Sequence, residues 1–244
     1  MQAESDSPTA NPNSPFYRRL GLTLLVGLAF AVGALIFARL AAWVLEGETQ
    51  YFDDAVRAMI HQSASPALTA VMRIVTMLGS TLFLVPLSVG VVVIFLRAGR
   101  RRAAALFAIT MAGAVLLMVA LKLSFHRLRP LPFFDIAPPG SYSFPSGHAL
   151  ASFCFYGALA AIIADRTSSR AGRVMIWTLG ILLIVLIGFS RIYLGVHYPS
   201  DVAAGYAAAL VWVMTVAFVD RLLQRAPLHD QPPKKENKRS GART

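Results

Sequence analysis

The sequence predicts an all-α polytopic membrane protein, with six transmembrane helices plus amphipathic interfacial helices between spans one and two. Three observations carry that expectation. The 244 residues are 56% hydrophobic and only 14% charged, where soluble domains carry about 25% charged residues. Six apolar runs each have roughly the length of a bilayer crossing. The basic residues gather in alternate linkers, which an even number of spans places on one side. The length suits one domain.

Residues 1–17 are rich in Ser, Pro, Asn and Ala with no periodicity, and are expected to be a disordered cytoplasmic tail. Arg18 and Arg19 precede an apolar run from Leu20 to Leu45. A signal-peptide core is about 7–15 residues long, so this much longer run reads as an uncleaved first span. Arg39 is expected to snorkel to the interface beside Trp43. Residues 50–78 differ: Asp53, Asp54, Arg57 and Arg73 recur among apolar residues at helical spacing, and Pro66 divides the segment. Two amphipathic helices lying at the outer interface are expected there. Five further runs follow at 79–96, 103–121, 148–164, 174–189 and 201–219, so that 18–222 forms the membrane domain. Residues 223–244 read as a basic, disordered cytoplasmic tail.

Orientation follows from the linkers. Arg97 and Arg100 to Arg102 lie between spans two and three, and Arg166, Arg170 and Arg173 between spans four and five. Arg221, Arg225, Lys234, Lys235, Lys238, Arg239 and Arg243 follow span six. With six spans these groups and Arg18/Arg19 share one side, which the positive-inside rule makes cytoplasmic. The net charge of +11 therefore reports topology. No basic face interleaved with aromatics is present, so nucleic acid is not an expected partner. The single Cys154 lies in an apolar run and can form neither an internal disulfide nor a thiolate metal site. It reads as a small buried apolar side chain. No internal repeat suggests a transporter of inverted halves. Nothing in the sequence specifies an oligomeric state.

The outward linkers hold polar residues that topology does not explain. Lys122 and Arg129 follow span three, Ser146, Gly147 and His148 open span four, and Arg191, His197 and Asp201 lie between spans five and six. Positive charge on the outer side runs against the positive-inside trend, and ionisable groups at membrane depth are functional candidates. Three cations without matching carboxylates would repel one another unless an anion lies between them. Phosphate suits them, since Arg offers a planar fork and Lys a point charge. Ser146 is a good N-cap. Gly147 has no Cβ, so the backbone N–H groups of a helix N-terminus can approach a ligand. His197 and Asp201 are four apart, and a carboxylate on one imidazole nitrogen leaves the other free as a nucleophile. Two histidines can then divide the labour, one attacking phosphorus and one protonating the leaving oxygen. The cations can stabilise developing charge without a metal, and carboxylates are too few for a magnesium cage.

Lys122–Pro130 (K-x6-RP), Pro145–His148 (PSGH) and Ser190–Asp201 (SR-x5-H-x3-D) together resemble the tripartite signature of the type 2 phosphatidic acid phosphatase superfamily. The resemblance covers about 20–220, because the six-span topology accompanies the motifs. It implies that His197 is the nucleophile forming a phosphohistidine, that Asp201 orients it, and that His148 is the general acid and then the base that activates water. Lys122, Arg129, Arg191, Ser146 and the Gly147 N–H would hold the phosphoryl group. The resemblance implies a metal-independent enzyme without cofactor, in the bacterial inner membrane with its site at the outer leaflet. Its partner would be a lipid phosphate such as phosphatidic acid, phosphatidylglycerol phosphate or undecaprenyl diphosphate. A lipid phosphotransferase using the same phosphohistidine, a non-enzymatic transporter or scaffold, and a vanadate-binding haloperoxidase are the rival readings.

Other residues are assigned blander places. His126 matches no motif position and is expected at the rim, His61 in solvent, and Asp135 in a turn, while His229 carries no role. Tyr193 and Gly195 are expected to shape the turn before His197. The segment Leu131–Phe144 is expected to line the entrance, with Phe133 and Phe134 toward an acyl or prenyl chain.

Overall fold

The structure, a computed structural model, describes residues 15–225 apart from 135, 138 and 139. The expected terminal tails, His229 and Asp135 lie outside the described residues. Among the described residues eight helices form in order: α1 Pro15–Leu45, α2 Gln50–Gln62, α3 Pro66–Met77, α4 Thr81–Arg97, α5 Arg101–Phe125, α6 Gly147–Ala164, α7 Arg170–Tyr193 and α8 Pro199–Arg225. No strand occurs among the described residues. Local sequence places several starts. Ser65, Ser80, Ser146 and Ser169 each accept a bond from a backbone N–H of the first turn, on Leu68, Phe83, Ala149 and Gly172. Such caps satisfy donors that the helix itself leaves free.

α1, α5, α6, α7 and α8 are each long and apolar enough to cross a membrane. The sixth candidate crossing is a bent pair of helices. α4 has 17 residues, about 25 Å of helix against a hydrocarbon core of about 30 Å. It reaches spanning length only together with α3, to which it is bent by 44° across a short break. α3 and α4 supply a sixth crossing if the bent pair is one span, and Met72 in α3 is buried. The outward surfaces are apolar, as lipid demands: Leu25, Leu82 and Leu116 are exposed without a protein neighbour to cover them. Arg39 lies 5.3 Å over the Trp43 ring, as expected of an interfacial anchor.

α6 is the axis of the bundle, packed against α4, α5, α7 and α8. Leu150 and Cys154 on it meet Ala114 of α5 and Ala208 and Ala209 of α8. Small residues let helix backbones approach closely where lipid supplies no hydrophobic drive. At Gly205 a Cβ would lie 2.7 Å from the Ser146 carbonyl oxygen and 2.9 Å from Ala149 Cβ. The Ser146 N–H also donates to the Asp201 carbonyl at 2.9 Å. The first turns of α6 and α8 are thus locked together. Gly205→Ala is expected to lower the melting temperature in detergent and to reduce turnover. Its obstacle is backbone, which cannot rotate away, and overpacking costs about 1–3 kcal/mol, more than the helix-propensity gain of about 1 kcal/mol. An unchanged melt would show that the two helices can separate freely.

Candidate active site

The C-terminal ends of α5 and α7 and the N-terminal ends of α6 and α8 meet beneath the 126–146 loop. α7 ends at Tyr193, and the chain turns through Gly195 at φ +74°. A Cβ at Gly195 would lie 2.6 Å from the Phe133 backbone nitrogen, so the turn has room for glycine alone. Pro199 then opens α8 and places Asp201 in its first turn, where a carboxylate favours the helix dipole.

This turn buries His197, 1% exposed, against Asp201, 0% exposed. Asp201 Oδ2 accepts from His197 Nδ1 at 3.2 Å, from the Tyr198 N–H at 3.0 Å and from the Ser143 hydroxyl. The carboxylate can only accept, so Nδ1 carries the ring proton and Nε2 presents its lone pair. Arg129 Nη1 faces that lone pair at 3.0 Å. Burial holds the His197 imidazole down at about 3, although the Asp201 charge and hydrogen bond act to raise it. Arg129 and Arg191 act in the same direction as burial. The ring is thus neutral near neutral pH, the form in which Nε2 can attack an electrophile.

The expected cations converge on this ring. Arg129 is fixed by bonds to the Ser141 carbonyl at 2.7 Å, the Ser141 hydroxyl at 3.1 Å and the Val196 carbonyl at 2.8 Å. Burial lowers its pKa, and Asp201 opposes that shift. Arg191 Nη1 donates to Thr76 Oγ1 at 2.6 Å, while its Nε is buried without a partner. An orphaned buried guanidinium donor is expensive, and Arg57 Nε is buried without a partner as well. Lys122 Nζ bonds the Tyr142 carbonyl. Ser146 is fully buried at the α6 cap, and a Cβ at Gly147 would meet the Met118 sulfur at 2.5 Å. His148 lies in the field of Arg191, His197, Arg129 and Lys122. Its ring nitrogens make no hydrogen bond among the described residues. All eight expected site residues are therefore brought together. Among the described residues, no three His, Cys, Asp or Glu are placed to hold a metal ion.

Sequence reasoning missed the second layer. Asp53, expected on an interfacial helix, is 0% exposed. It accepts from the Ser200 N–H at 2.9 Å, from Ser200 Oγ at 2.6 Å and from Arg127 Nη2 at 2.8 Å. Arg127 Nη1 also bonds Asp201 Oδ1 and Ser200 Oγ, each at 2.8 Å. Arg127 thus links α2 to the carboxylate that orients His197. Arg57, one turn after Asp53, donates to the Leu131 carbonyl at 2.8 Å and the Gly195 carbonyl at 3.3 Å. Its guanidinium lies about 5 Å from the Phe133 and Tyr198 rings. The signal was present as Asp53 and Arg57 at i and i+4, which share one helix face.

The aromatic loop residues also differ from expectation. Phe133 stacks on His61 at 4.0 Å and Phe134 on Tyr193 at 5.4 Å. They pack on protein, because Arg57 and Gly195 draw the loop inward. Tyr193 and Gly195 do shape the turn. His61 is exposed on its other side, and His126 is exposed at the rim beside Tyr142. A cavity of about 610 Å³ opens beside Lys122 and Arg129, walled by Val119, Leu123 and Leu128.

The profile of the PAP2 superfamily matches residues 103–223. Phosphatidylglycerophosphatase B of Bacillus subtilis is 31% identical over 194 residues, covering 78% of this chain and 94% of the relative. Undecaprenyl-diphosphatase of Sulfolobus acidocaldarius is 39% identical over 98 residues, covering 38% of this chain and 43% of the relative. The crystal structure of a transmembrane PAP2-type phosphatidylglycerolphosphate phosphatase from Bacillus subtilis superposes with a TM-score of 0.72 at 30% identity, over 81% of this chain and 98% of that one. Aquifex aeolicus LpxE shares the fold, with a TM-score of 0.50 at 24% identity over 68% of this chain and 94% of that one.

Proposed function

We propose, from the premise that this chain belongs to the PAP2 superfamily, that it is a membrane lipid phosphatase working through a phosphohistidine on His197. The observation that carries the reading is the His197–Asp201 pair. Its unprotonated Nε2 points among cations, one of which, Arg191, holds a buried donor without a partner.

Lys122, Arg129, Arg191, Ser146 and the Gly147 N–H hold the phosphoryl oxygens and stabilise the charge that builds on them. His197 Nε2 forms a bond to phosphorus while the bond from phosphorus to the leaving oxygen breaks. His148 gives its proton to that oxygen. The imidazolium formed on His197 is stabilised by Asp201. A water then attacks the phosphohistidine, His148 takes the water proton, and the P–N bond breaks to release inorganic phosphate. For a monophosphate the leaving group is a lipid alcohol, and for a diphosphate it is the lipid monophosphate. No step requires a metal.

Phosphatidylglycerol phosphate and undecaprenyl diphosphate are the favoured substrates, since the named relatives act on them, with phosphatidic acid as a third. The lipid tail stays in the bilayer while the headgroup reaches the site. The arginine-rich linkers and the positive-inside rule support an orientation with both termini in the cytoplasm and the site at the outer face of the inner membrane. The membrane domain spans 18–222, between tails at 1–17 and 223–244. α1 and α8 run slightly past those limits, to Pro15 and Arg225.

The test is phosphate release by purified protein in detergent with EDTA, across these three lipids and beside His197→Ala. Release that survives EDTA and disappears in the variant is expected, and the order of the lipids identifies the substrate. Release that EDTA abolishes would end the metal-free mechanism. No release from any lipid until an acceptor lipid is added would assign the chain to phosphotransfer.

A further inference from the structure

The membrane face opposite the site holds a second cationic cavity. It has a volume of about 780 Å³ and lies where the α4–α5 turn meets the ends of α6 and α8. Five arginines line it: Arg100, Arg101, Arg102, Arg166 and Arg221. Asp165 and Asp220 are the carboxylates present, so positive charge is in clear excess.

The partners of these groups differ. Arg102 forms a two-point pair with Asp220, Nε to Oδ1 at 3.0 Å and Nη2 to Oδ2 at 2.6 Å. Gln224 holds the same carboxylate at 2.8 Å. Asp220 is therefore already engaged. Arg100 lies over the Phe95 ring at 5.0 Å, and Arg221 donates to the Leu22 carbonyl at 3.3 Å. The side chains of Arg101 and Arg166 are exposed and make no ion pair or hydrogen bond among the described residues. The positive-inside rule explains why arginines occupy these linkers. It does not explain why five converge on one cavity, while Arg97, Arg170 and Arg173 from the same linkers stay outside its lining.

The remaining wall is apolar, with Leu106, Ala161 and Ile162 at the ends of spans α5 and α6. A cationic rim over an apolar floor at the membrane surface matches a phosphate headgroup with its chains in the leaflet. A soluble anion would have no use for the floor. Basic pockets between spans bind anionic lipid headgroups in this way.

We propose that this cavity binds the headgroup of an anionic phospholipid from the leaflet opposite the site, with Arg101 and Arg166 on its phosphate. The proposal stands apart from the phosphatase reading. It is tested with the full chain in phosphatidylcholine nanodiscs, by titrating phosphatidylglycerol and measuring bound lipid by native mass spectrometry and the melting temperature. Wild type is expected to retain phosphatidylglycerol and to melt higher with it. The double variant Arg101→Gln/Arg166→Gln is expected to raise the dissociation constant about tenfold or more, with phosphate release in phosphatidylcholine unchanged. Arg129→Gln, at the catalytic face, and Lys234→Gln/Lys235→Gln/Lys238→Gln, in the tail, are expected to bind as wild type does. Undiminished binding by the double variant would overturn the proposal. So would loss that follows Arg129 or the tail lysines, or an equal melting shift from inorganic phosphate.

Discussion

His197→Ala is expected to lower phosphate release by about 10⁴-fold or more, the loss seen when a nucleophile is removed from a covalent mechanism. The fold should survive, because Asp201 keeps Arg127, Ser143 and the Tyr198 N–H when the imidazole is gone. The melting temperature in detergent checks that. A direct readout is the phosphoenzyme: brief exposure to lipid labelled in its phosphate should leave a label that is stable in alkali and lost in acid, as a phosphoramidate is. The label should be absent in His197→Ala. In His148→Ala it should persist longer, since the water has lost its base. His126→Ala supplies the contrast. Its ring sits at the rim against Tyr142 and should leave most activity in place. Equal losses at His126 and His197 would show that the chemistry lies elsewhere.

Arg127→Ala should have the largest effect on stability. Its guanidinium, 11% exposed, holds two carboxylates that are each 0% exposed, Asp53 and Asp201. Removing it leaves both buried without their cation, which costs about 3–5 kcal/mol. The melting temperature should fall sharply, and turnover with it, because Asp201 Oδ1 loses its anchor and the His197 ring its fixed direction. Adding Asp53→Asn should restore part of the stability, since a neutral amide needs no cation. The double-mutant cycle should therefore show strong coupling. An unchanged melt in Arg127→Ala, or strict additivity with Asp53→Asn, would show that the network contributes nothing. Arg129→Ala separates the two kinds of arginine: it should abolish turnover while affecting the melt less, since its partners are mostly carbonyls that water can satisfy.

The membrane character was legible in the chain because lipid constrains composition directly. A helix crossing hydrocarbon must be apolar over its whole length, so all six candidate crossings could be read from the runs themselves. What the run at 79–96 did not disclose is the 44° bend between its 17-residue helix α4 and the preceding α3, because a bend leaves no compositional mark. The site residues were legible for a related reason. Cations and histidines in the linkers opposite the arginine-rich ones have no topological purpose, so Lys122, Arg129, His148, Arg191 and His197 stood out by position.

The second layer was not legible, and the reason is geometric. Asp53 and Arg57 on α2 are spaced like the polar face of an interfacial helix. Whether that face meets water or another polar group depends on what is packed above it. Only the tertiary structure lays α2 against the start of α8, where Arg127 satisfies both Asp53 and Asp201. Phe133 and Phe134 follow the same logic, since an aromatic pair in a loop suits lipid or protein equally until Arg57 and Gly195 draw the loop inward. The sequence by itself determined the lipid-facing helices and singled out the cations and histidines that meet at one end of them, because hydrophobic length and misplaced charge are one-dimensional properties. The tertiary structure decided which polar groups neutralise one another, because that depends on distances between segments far apart in the chain.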